Sequence, residues 1–351
     1  MTTRATINTP TTPLANTPLA SGIFIYGLTM YKLTLNASDY SCLDGETVLD
    51  ALLRENIAIP YACKKGTCHS CLLQSVATAP PEAAQAGLKN TQKNHRYFLA
   101  CQCYPEQDMA IKQPDQSAFY TDGQVVANDM LNRNTVLLRV AFKDAFEFNA
   151  GQFVNLQRPD GLTRSYSIAN IPQQDNTLEF HIRRLPGGRF SAWLHDELKV
   201  GDTIAVSEAR GHCFYLPERS SQGLVLVGTG TGLAPLAGIL SDALAHGHSG
   251  PIYLFHGSRE LGDLYRIEEL RELAKQHENF HYIPCLSGSD VPDGFARGRV
   301  NEVVTATLTD LKGWRVFLCG HPDMVKLTKR IAFMAGAAMQ DIYADAFLLT
   351  P

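Results

Sequence analysis

The stretch Cys63-Lys-Lys-Gly-Thr-Cys68-His-Ser-Cys71 holds three cysteines, and a fourth, Cys101, follows later in the chain. The spacing is C-x4-C-x2-C with a distant fourth cysteine, which is a known arrangement of thiolates that hold a metal cluster. Gly66 and the other small residues of the stretch let a loop wrap such a cluster while backbone N–H groups point to its sulfurs. The stretch therefore predicts a loop with a metal centre.

The identity of the centre and of its fourth ligand follows from the surrounding residues. Zinc sites more usually pair two C-x2-C knuckles, and this chain has one. Cys103 competes with Cys101 as the fourth ligand. The stretch Phe98-Leu-Ala-Cys-Gln-Cys-Tyr-Pro105 resembles the plant-type ferredoxin pattern, in which the ligand follows a small residue and precedes x-x-Tyr-Pro, and the resemblance favours Cys101. We predict a 2Fe-2S cluster on Cys63, Cys68, Cys71 and Cys101, and assign no role to Cys42, Cys213 and Cys285.

The sequence on either side of the cysteines predicts a small α+β unit. Residues 31–35 alternate as a strand, residues 47–56 have the i, i+3, i+4 apolar spacing of a short helix, and residues 71–76 form a returning strand. We place this ferredoxin-like unit at residues 31–115. Residues 1–30 are rich in Thr, Pro, Asn and Ala and lack a signal-peptide pattern, so we expect a disordered N-terminal tail.

Two further patterns follow along the chain. From residue 118 to 217, short strands separated by turn residues have the spacing of an antiparallel β-barrel, with one helix near residues 190–198. From residue 221 to 351, buried strands alternate with helices, as in βαβ units and a Rossmann-like parallel sheet. The prediction is a multidomain protein with α+β, β and α/β domains in that order.

Composition and charge exclude several classes of function. The hydrophobic fraction is 45% and the charged fraction 19%, which is typical of a globular protein. A formal charge of −4 gives no indication of a basic patch that would bind nucleic acid or a membrane surface. The nine cysteines are spread out rather than arranged as a disulfide framework, so we expect a reducing, cytoplasmic environment.

A second motif predicts a flavin site in the barrel. Arg164-Ser-Tyr-Ser167 resembles the R-x-Y-S signature of the ferredoxin–NADP reductase superfamily, and a Gly-Gly-Arg-Phe-Ser stretch ending at Ser191 opens the predicted helix. The resemblance implies FAD, with Arg164 on its phosphates, Tyr166 against the isoalloxazine ring and the Ser167 hydroxyl near N5. It adds His181, Arg183, Gly188, Arg189, Phe190 and Ser191 to the flavin site. The alternative is a surface arginine, a core tyrosine and a helix N-cap serine.

Two motifs predict a nicotinamide site in the last domain. Gly228-Thr-Gly-Thr-Gly232 follows a buried strand and opens a helix, so the backbone can approach a pyrophosphate. Cys319-Gly-His-Pro322 resembles the superfamily's C-G-x-P motif, which lies beside the nicotinamide. Phe347 resembles the terminal aromatic residue near the flavin, although a core phenylalanine is the alternative. The predicted nicotinamide residues are Gly228, Thr229, Gly230, Thr231, Gly232, Cys319, Gly320 and Pro322, and the predicted catalytic residues are Tyr166, Ser167, Cys319 and Phe347.

The preferred dinucleotide follows from a missing arginine. The superfamily often places a Ser-Arg pair after the third strand of this domain to bind the extra phosphate of NADPH. Here that stretch is Leu286-Ser-Gly-Ser289, without arginine. We therefore expect NADH, although Arg259 could reach such a phosphate.

With cluster, flavin and nicotinamide motifs in this order, the chain resembles the reductase components of bacterial multicomponent oxygenases over residues 31–347. The resemblance implies a β-grasp ferredoxin domain, hydride transfer from NADH to FAD, and single electrons leaving through the cluster to a terminal oxygenase, a Rieske or di-iron protein. It implies a monomer when free. The chain departs from the pattern at Asp345, where relatives often have Glu. Alternatives are a deoxysugar-pathway reductase, a sodium-pumping quinone reductase subunit, and a ferredoxin carrier regulated by nucleotide.

Overall fold

The computed structural model describes residues 30–115, 119–172 and 175–347. Of the tail expected at residues 1–30, residues 1–29 lie outside the described residues, and Met30 is the first residue of a strand. The described strands form three sheets of five, six and six strands, which follow one another along the chain. The predicted order of an α+β unit, an antiparallel unit and a parallel α/β unit is confirmed. No helix of the described residues is long and apolar enough to cross a membrane.

The first sheet has the order β2-β1-β5-β3-β4 and carries the cysteine loop between α1 and β3. Its elements are β1 (Met30–Leu35), β2 (Ser38–Leu43), α1 (Val48–Arg54), β3 (Leu72–Ser75), α2 (Asn90–Asn94), β4 (Tyr97–Leu99) and β5 (Met109–Lys112). Helix α1 begins after Thr47, whose hydroxyl accepts the backbone N–H of Asp50 and so satisfies one unpaired donor of the first turn. The predicted helix and returning strand are therefore found.

The second sheet is antiparallel, in the order β10-β7-β6-β11-β8-β9. Its elements are β6 (Tyr120–Asn132), β7 (Thr135–Ala141), β8 (Phe153–Gln157), β9 (Thr163–Ser167), β10 (Thr177–Arg183), α3 (Arg189–Asp196) and β11 (Thr203–Ser207). The sheet curls so that its outer strands approach each other, since the N–H of Ala169, just after β9, bonds the carbonyl of Glu179 in β10. Strand β6 was missed in the sequence because its polar residues obscure the alternation.

The third sheet is parallel, in the order β15-β14-β13-β12-β16-β17. Its strands are β12 (Leu224–Thr229), β13 (Ile252–Ser258), β14 (Phe280–Leu286), β15 (Ala296–Arg297), β16 (Arg315–Gly320) and β17 (Ile342–Ala346). Its helices are α4 (Leu233–Ala245), α5 (Ile267–Gln276), α6 (Val300–Thr307) and α7 (Pro322–Met334). The strand order reverses between β12 and β16, and the carboxyl ends of strands at such a point form a binding crevice.

The apolar cores show how the domains are joined. The core of the first domain is built from residues 33–111 alone, with Phe119 packed at its edge. The core on one face of the parallel sheet, in contrast, includes Cys213 and Tyr215 from the end of the barrel domain. Gly151 and Gly238 allow this close packing, since a Cβ on Gly238 would lie 3.2 Å from the carbonyl oxygen of Ile168 in the barrel. The barrel and the parallel domain therefore share an apolar seam.

Candidate functional site

One cleft of about 1730 Å³ is lined by residues of all three domains. The cysteine loop, strand β9, the start of α3 and the end of β12 contribute to its walls. The predicted residues that line it are Cys63, Cys68, Arg164, Tyr166, Ser167, His181, Arg183, Gly188, Arg189, Phe190, Ser191, Thr229, Gly230, Thr231, Gly320 and Phe347. The predicted residues outside its lining are Cys71, Cys101, Gly228, Gly232, Cys319 and Pro322. The three predicted sites thus meet at one place.

The four predicted cluster ligands form two pairs. The backbone N–H groups of Cys63 and Cys68 each reach the sulfur of the other residue at 3.4 Å, and the thiols of Cys71 and Cys101 lie close enough to shift each other's pKa in opposite directions. Within the described residues, no three His, Cys, Asp or Glu side chains are arranged around a single metal ion. Two pairs are nevertheless what a two-iron cluster needs, because four thiolates hold two irons. The arrangement fits a 2Fe-2S cluster better than one zinc ion.

Hydrogen-bond donors surround these sulfurs. The backbone N–H groups of Lys65 and Cys68 reach the Cys63 sulfur at 3.3 and 3.4 Å. The hydroxyl of Ser70 reaches the Cys68 sulfur at 3.3 Å. The Cys68 thiol, together with backbone donors, lowers the pKa of Cys63 to about 4. Such donors stabilise thiolates and tune a cluster that they hold.

Cys103, the competitor for the fourth position, faces the other way. Its sulfur lies 4.0 Å from the sulfur of Met109, inside the apolar core of the first domain. Burial raises the pKa of Cys103 to about 12, so its thiol stays protonated. Cys101, in contrast, contacts Cys71, and the backbone N–H of Gly66 bonds to it. The geometry places Cys101 and not Cys103 with the other three cysteines.

The barrel side of the cleft offers an aromatic face next to a helix N-terminus. Tyr166, in β9, packs against Phe190 with ring centroids 5.7 Å apart. Gly188 precedes α3, and a Cβ there would lie 2.7 Å from the Ser191 hydroxyl, so the turn that opens the helix has no room for a side chain. The free N–H groups of a helix start bind phosphate well. These features fit a flavin with its pyrophosphate on α3.

Two predicted flavin residues are held by other protein groups. The His181 ring is buried, with Nδ1 3.0 Å from the Tyr265 hydroxyl and Nε2 3.2 Å from Glu179. Phe190 is also buried and packs on both Tyr166 and Trp193. Both ring nitrogens of His181 already have partners, and Phe190 is packed against two aromatic rings. We therefore infer that His181 and Phe190 support the walls of the site.

The loop predicted to bind the dinucleotide, residues 228–232, is called the dinucleotide loop. It leads from β12 into α4, at the point where the strand order of the parallel sheet reverses. A Cβ on Gly232 would lie 2.2 Å from the carbonyl oxygen of Cys319, so only glycine lets the loop approach β16 this closely. Gly320 has a φ of +123°, a conformation that favours glycine. The crevice therefore depends on glycines from both predicted motifs.

The predicted catalytic residues converge where β9, β16 and β17 meet. The hydroxyl of Ser167 donates to the Asp345 carboxylate at 3.2 Å, and the N–H of Phe347 bonds the carbonyl of Gly320 at 2.8 Å. Burial raises the pKa of Asp345, while the Ser167 hydrogen bond opposes the rise. Ser167, Asp345 and Phe347 all line the cleft.

Three residues in or beside the site were missed in the sequence. The Cys213 sulfur lies 3.8 Å from that of Cys319, although no spacing links the two cysteines. Arg210 contacts His69 of the cysteine loop at 2.9 Å, and the Asn155 amide bonds the carbonyl of Cys68 at 2.7 Å. These contacts join residues that are far apart in the chain, so no local sequence pattern predicts them.

Three family models match this chain. A 2Fe-2S iron-sulfur cluster binding domain matches residues 33–106, an oxidoreductase FAD-binding domain matches residues 122–215, and an oxidoreductase NAD-binding domain matches residues 226–330. Their order is the one predicted from the motifs. The predicted cofactor set of 2Fe-2S, FAD and a nicotinamide dinucleotide is therefore confirmed.

Similar proteins include the reductase component of an oxygenase system. The reductase component of the naphthalene 1,2-dioxygenase system of Pseudomonas putida is 34% identical, over 86% of this chain and 94% of its own length. The phenol hydroxylase P5 protein of Acinetobacter pittii is 32% identical, over 87% of this chain and 90% of its own. The crystal structure of an Amycolatopsis cytochrome P450 reductase covers 90% of this chain and 98% of its own, with a TM-score of 0.64 and 29% identity. The chain therefore belongs to the family of iron–sulfur flavoprotein oxidoreductases that are the reductase components of multicomponent oxygenases.

Proposed function

We propose that this chain takes electrons from NADH and delivers them, through FAD and a 2Fe-2S cluster, to a terminal oxygenase component. The observation that carries the proposal is the single cleft that brings together the dinucleotide loop, strand β9 and the cysteine loop. NADH gives two electrons as a hydride, and a 2Fe-2S cluster accepts one electron at a time. Bound FAD supplies the chemistry that connects the two.

Each group of residues has a role that follows from its position in the site. In the proposed site, Cys63, Cys68, Cys71 and Cys101 hold the irons in two pairs. Tyr166 supports one face of the flavin ring, while Arg164, Arg183 and the start of α3 neutralise its phosphates. Residues Gly228 to Gly232 bind the pyrophosphate of the dinucleotide, and Cys319 to Pro322 border the nicotinamide.

Ser167 and Asp345 would lie beside the N5 atom of a bound flavin. The Ser167 hydroxyl donates to Asp345, so its oxygen can still accept a hydrogen bond from a group bound in the cleft. Asp345 takes the place of the glutamate that is common in relatives and provides the acceptor. Phe347, which is anchored by its N–H on Gly320, covers this point from the side of β17. The Ser167–Asp345 pair would thus orient a hydrogen-bonding group, and Phe347 would limit the access of water.

The proposed domain limits are 31–115, 118–217 and 221–351, and we infer that the free protein is a monomer. The proposed partner is a Rieske or di-iron oxygenase. Residues 31–115 contain eight Lys and Arg and nine Asp and Glu, so this unit is close to neutral. Steering of a partner by a strong charged face is therefore not expected, and partner binding should depend weakly on salt.

The proposed dinucleotide is NADH. Ser258, Arg259 and Ser287 line the cleft at the carboxyl ends of β13 and β14. The stretch that would hold an arginine for the extra phosphate of NADPH lacks one, and Arg259 is the remaining cation on these two strand ends. Steady-state rates with NADH and NADPH test the preference, which we expect to favour NADH.

Anaerobic stopped-flow mixing with NADH tests the function. We expect the flavin absorbance to bleach first and the cluster absorbance to follow, because hydride reaches the flavin before single electrons reach the cluster. A carrier whose nucleotide domains only regulate it would bind NADH without bleaching either chromophore, and that result would refute the proposal.

A further inference from the structure

A chain of hydrogen bonds joins the flavin motif to the cysteine loop through one side chain, Asn155. The Asn155 side-chain amide donates from Nδ2 to the carbonyl oxygen of Cys68 at 2.7 Å. Its Oδ1 accepts the hydroxyl of Ser165 at 2.8 Å. Ser165 lies between Arg164 and Tyr166 and faces Asn155 across the β8–β9 pair. The amide is therefore in contact with both sites at once.

The chemistry of the partners fixes the orientation of this amide. A carbonyl oxygen only accepts hydrogen bonds, so the NH₂ group must face Cys68 and the oxygen must face Ser165. Asn155 is 2% exposed, and its own backbone N–H bonds the Ser207 hydroxyl at 2.9 Å. A buried amide with satisfied partners on both sides is costly to move, because any rotation leaves polar groups unpaired.

Other contacts hold the two domains together but do not connect the two sites. Lys89 pairs with Glu208 at 3.1 Å on the exposed rim, where ion pairs contribute little. Arg210 contacts His69 at 2.9 Å, beside a cluster ligand, but its backbone pairs with Phe153 of β8 and not with β9. Asn155 is the described residue whose side chain bonds both the backbone of a predicted cluster ligand and a residue of the R-x-Y-S motif.

We propose that Asn155 is a positioning residue that fixes the cysteine loop, through the carbonyl of Cys68, against the flavin motif, and so sets the electronic coupling between the two cofactors. In the step concerned, one electron leaves the reduced flavin and enters the oxidised cluster. Asn155 itself gains and loses neither electron nor proton. The inference rests on the proposed function, because it assigns the route inside the electron path proposed above.

The first test replaces Asn155 by leucine, which has a similar volume and no hydrogen-bonding group. In single-turnover stopped-flow experiments, NADH should reduce the flavin of Asn155→Leu at the wild-type rate. Cluster reduction should then be slower by roughly 10-fold to 100-fold, the size of effect seen when groups that orient metal ligands are removed. Equal rates of cluster reduction in the variant and the wild type would overturn the inference.

Two readouts separate positioning from other causes. The midpoint potential of the cluster, measured by equilibrium titration with redox dyes, should be unchanged, because Asn155 bonds a carbonyl and not a sulfur. A shift in potential large enough to explain the slower rate would instead make Asn155 a tuning residue and overturn the proposal. Hydrogen–deuterium exchange of the backbone amides of residues 63–71 should become faster in the variant, and unchanged exchange would also contradict it.

A matched control is Asn170→Leu. The Asn170 side chain bonds the carbonyls of Ile171 and Thr177 and the N–H of Glu179, so its loss weakens the same domain without touching the cysteine loop. We expect wild-type cluster reduction in this variant. If Asn170→Leu is as slow as Asn155→Leu, the effect is general destabilisation of the barrel and the inference fails.

If Asn155→Leu does not fold, two milder variants test the inference. Asn155→Asp keeps the shape and still accepts from Ser165, but it cannot donate to Cys68, so cluster reduction should be slow. Ser165→Ala keeps the bond to Cys68 and removes the other restraint, so cluster reduction should be slower than in the wild type, and a wild-type rate would count against the inference. If NADH fails to reduce the wild-type cluster at all, the proposed function is refuted independently of these variants.

Discussion

Among single residues, we expect Cys68 to have the clearest effect on electron flow, because it belongs to both the proposed cluster site and the domain contact. Its sulfur pairs with Cys63, and its carbonyl accepts the hydrogen bond of Asn155. A serine in its place keeps the backbone contact and removes one of the four thiolates that a 2Fe-2S cluster needs. The flavin lies upstream of the cluster in the proposed route.

We therefore expect Cys68→Ser to separate two activities. NADH-driven reduction of ferricyanide, which can take electrons from the flavin directly, should be retained. Cytochrome c reduction should fall by roughly 10-fold or more, because its route includes the cluster. Cys285→Ser is the control, since Cys285 is buried in the core of the parallel domain, and both activities should survive there. Equal loss of both activities in Cys68→Ser would show that the electron route is wrong.

His256 lies beneath the dinucleotide loop and is fully buried. Its Nε2 is 3.3 Å from the carbonyl of Gly230 and its Nδ1 is 3.4 Å from the Tyr282 hydroxyl, while the Tyr265 ring packs edge-on against it. Burial lowers the pKa of His256 to about 4, and the charge of His181 adds to the decrease, while the bond to Gly230 opposes it. The ring is therefore neutral in the folded protein well below its ordinary pKa.

This depressed pKa predicts a loss of stability in acid. Between pH 6.5 and about 4, the unfolded chain binds a proton on His256 and the folded chain does not, so the free energy of unfolding falls as the pH falls. The contribution is fully present above pH 6.5 and decreases by at most about 1.4 kcal/mol per pH unit. Urea unfolding at about pH 7 and about pH 5 should show a smaller loss for His256→Gln than for the wild type. Equal losses would contradict the assignment.

At the scale of residues, contiguous motifs can be predicted from the sequence, and contacts between distant residues cannot. Cysteine, flavin and glycine motifs are contiguous, so their spacing predicts a chemistry before any fold is known. His256 and Asn155 act through partners 26 and 87 residues away, and no local pattern predicts such pairs. The choice of Cys101 over Cys103 came from a resemblance, and the structure adds a physical reason, since Cys103 faces Met109 in the core.

At the scale of secondary structure, the turn from β12 to α4 depends on the backbone of β16. A Cβ on Gly232 would lie within 2.2 Å of the Cys319 carbonyl oxygen and 3.1 Å of the Gly320 Cα. Backbone atoms of a central strand cannot move aside as a flexible side chain does. The position thus admits only glycine if the strand and the loop are to stay in contact.

We expect Gly232→Ala to destabilise the protein by about 1–3 kcal/mol, the usual cost of overpacking, and to raise the KM for NADH. Urea unfolding and steady-state kinetics measure the two effects. Gly262→Ala is the matched control, because the nearest atom to a Cβ there is Nε of Arg133 at 3.7 Å, an ordinary contact. Wild-type stability and KM in Gly232→Ala would show that the loop is not held as described.

Elements with a regular apolar pattern were predictable, and polar ones were not. Buried strands such as β12 and β16 have continuous apolar runs, and α5 has clear helical periodicity. Strand β6 contains Asp122, Gly123, Asn128 and Asp129 and shifts register twice against β7, so its sequence is typical of a loop. It forms a strand because both of its neighbours pair with it, which is information that only the assembled sheet contains.

At the scale of the whole molecule, the contacts between domains are of two kinds. The barrel and the parallel domain share an apolar seam at Cys213, Tyr215 and Gly238. The first domain touches the barrel through polar contacts of Asn155, Arg210 and Glu208, and Phe119 packs at the edge of its otherwise closed core. An extended apolar seam couples the unfolding of neighbouring domains more strongly than a few polar contacts do.

We therefore expect two unfolding transitions rather than one or three. Both tryptophans, Trp193 and Trp314, lie in the last two domains, and the cluster absorbance reports on the first. In urea, the fluorescence transitions of Trp193→Phe and Trp314→Phe should coincide, whereas loss of the cluster signal should follow a separate curve. Different midpoints for the two tryptophan reporters would contradict the shared seam.

The closed core of the first domain also affects how easily this domain can be gained or lost in evolution. Apart from the contact with Phe119, its apolar residues face one another rather than the barrel, so gain or loss of the whole unit through gene fusion would uncover little apolar surface on either side. A barrel with its parallel partner could not be divided in the same way, because Cys213 and Tyr215 pack into the neighbouring core. The fold thus favours inheritance of the flavin and nicotinamide domains together as one unit. The cluster domain, in contrast, can be gained or lost separately.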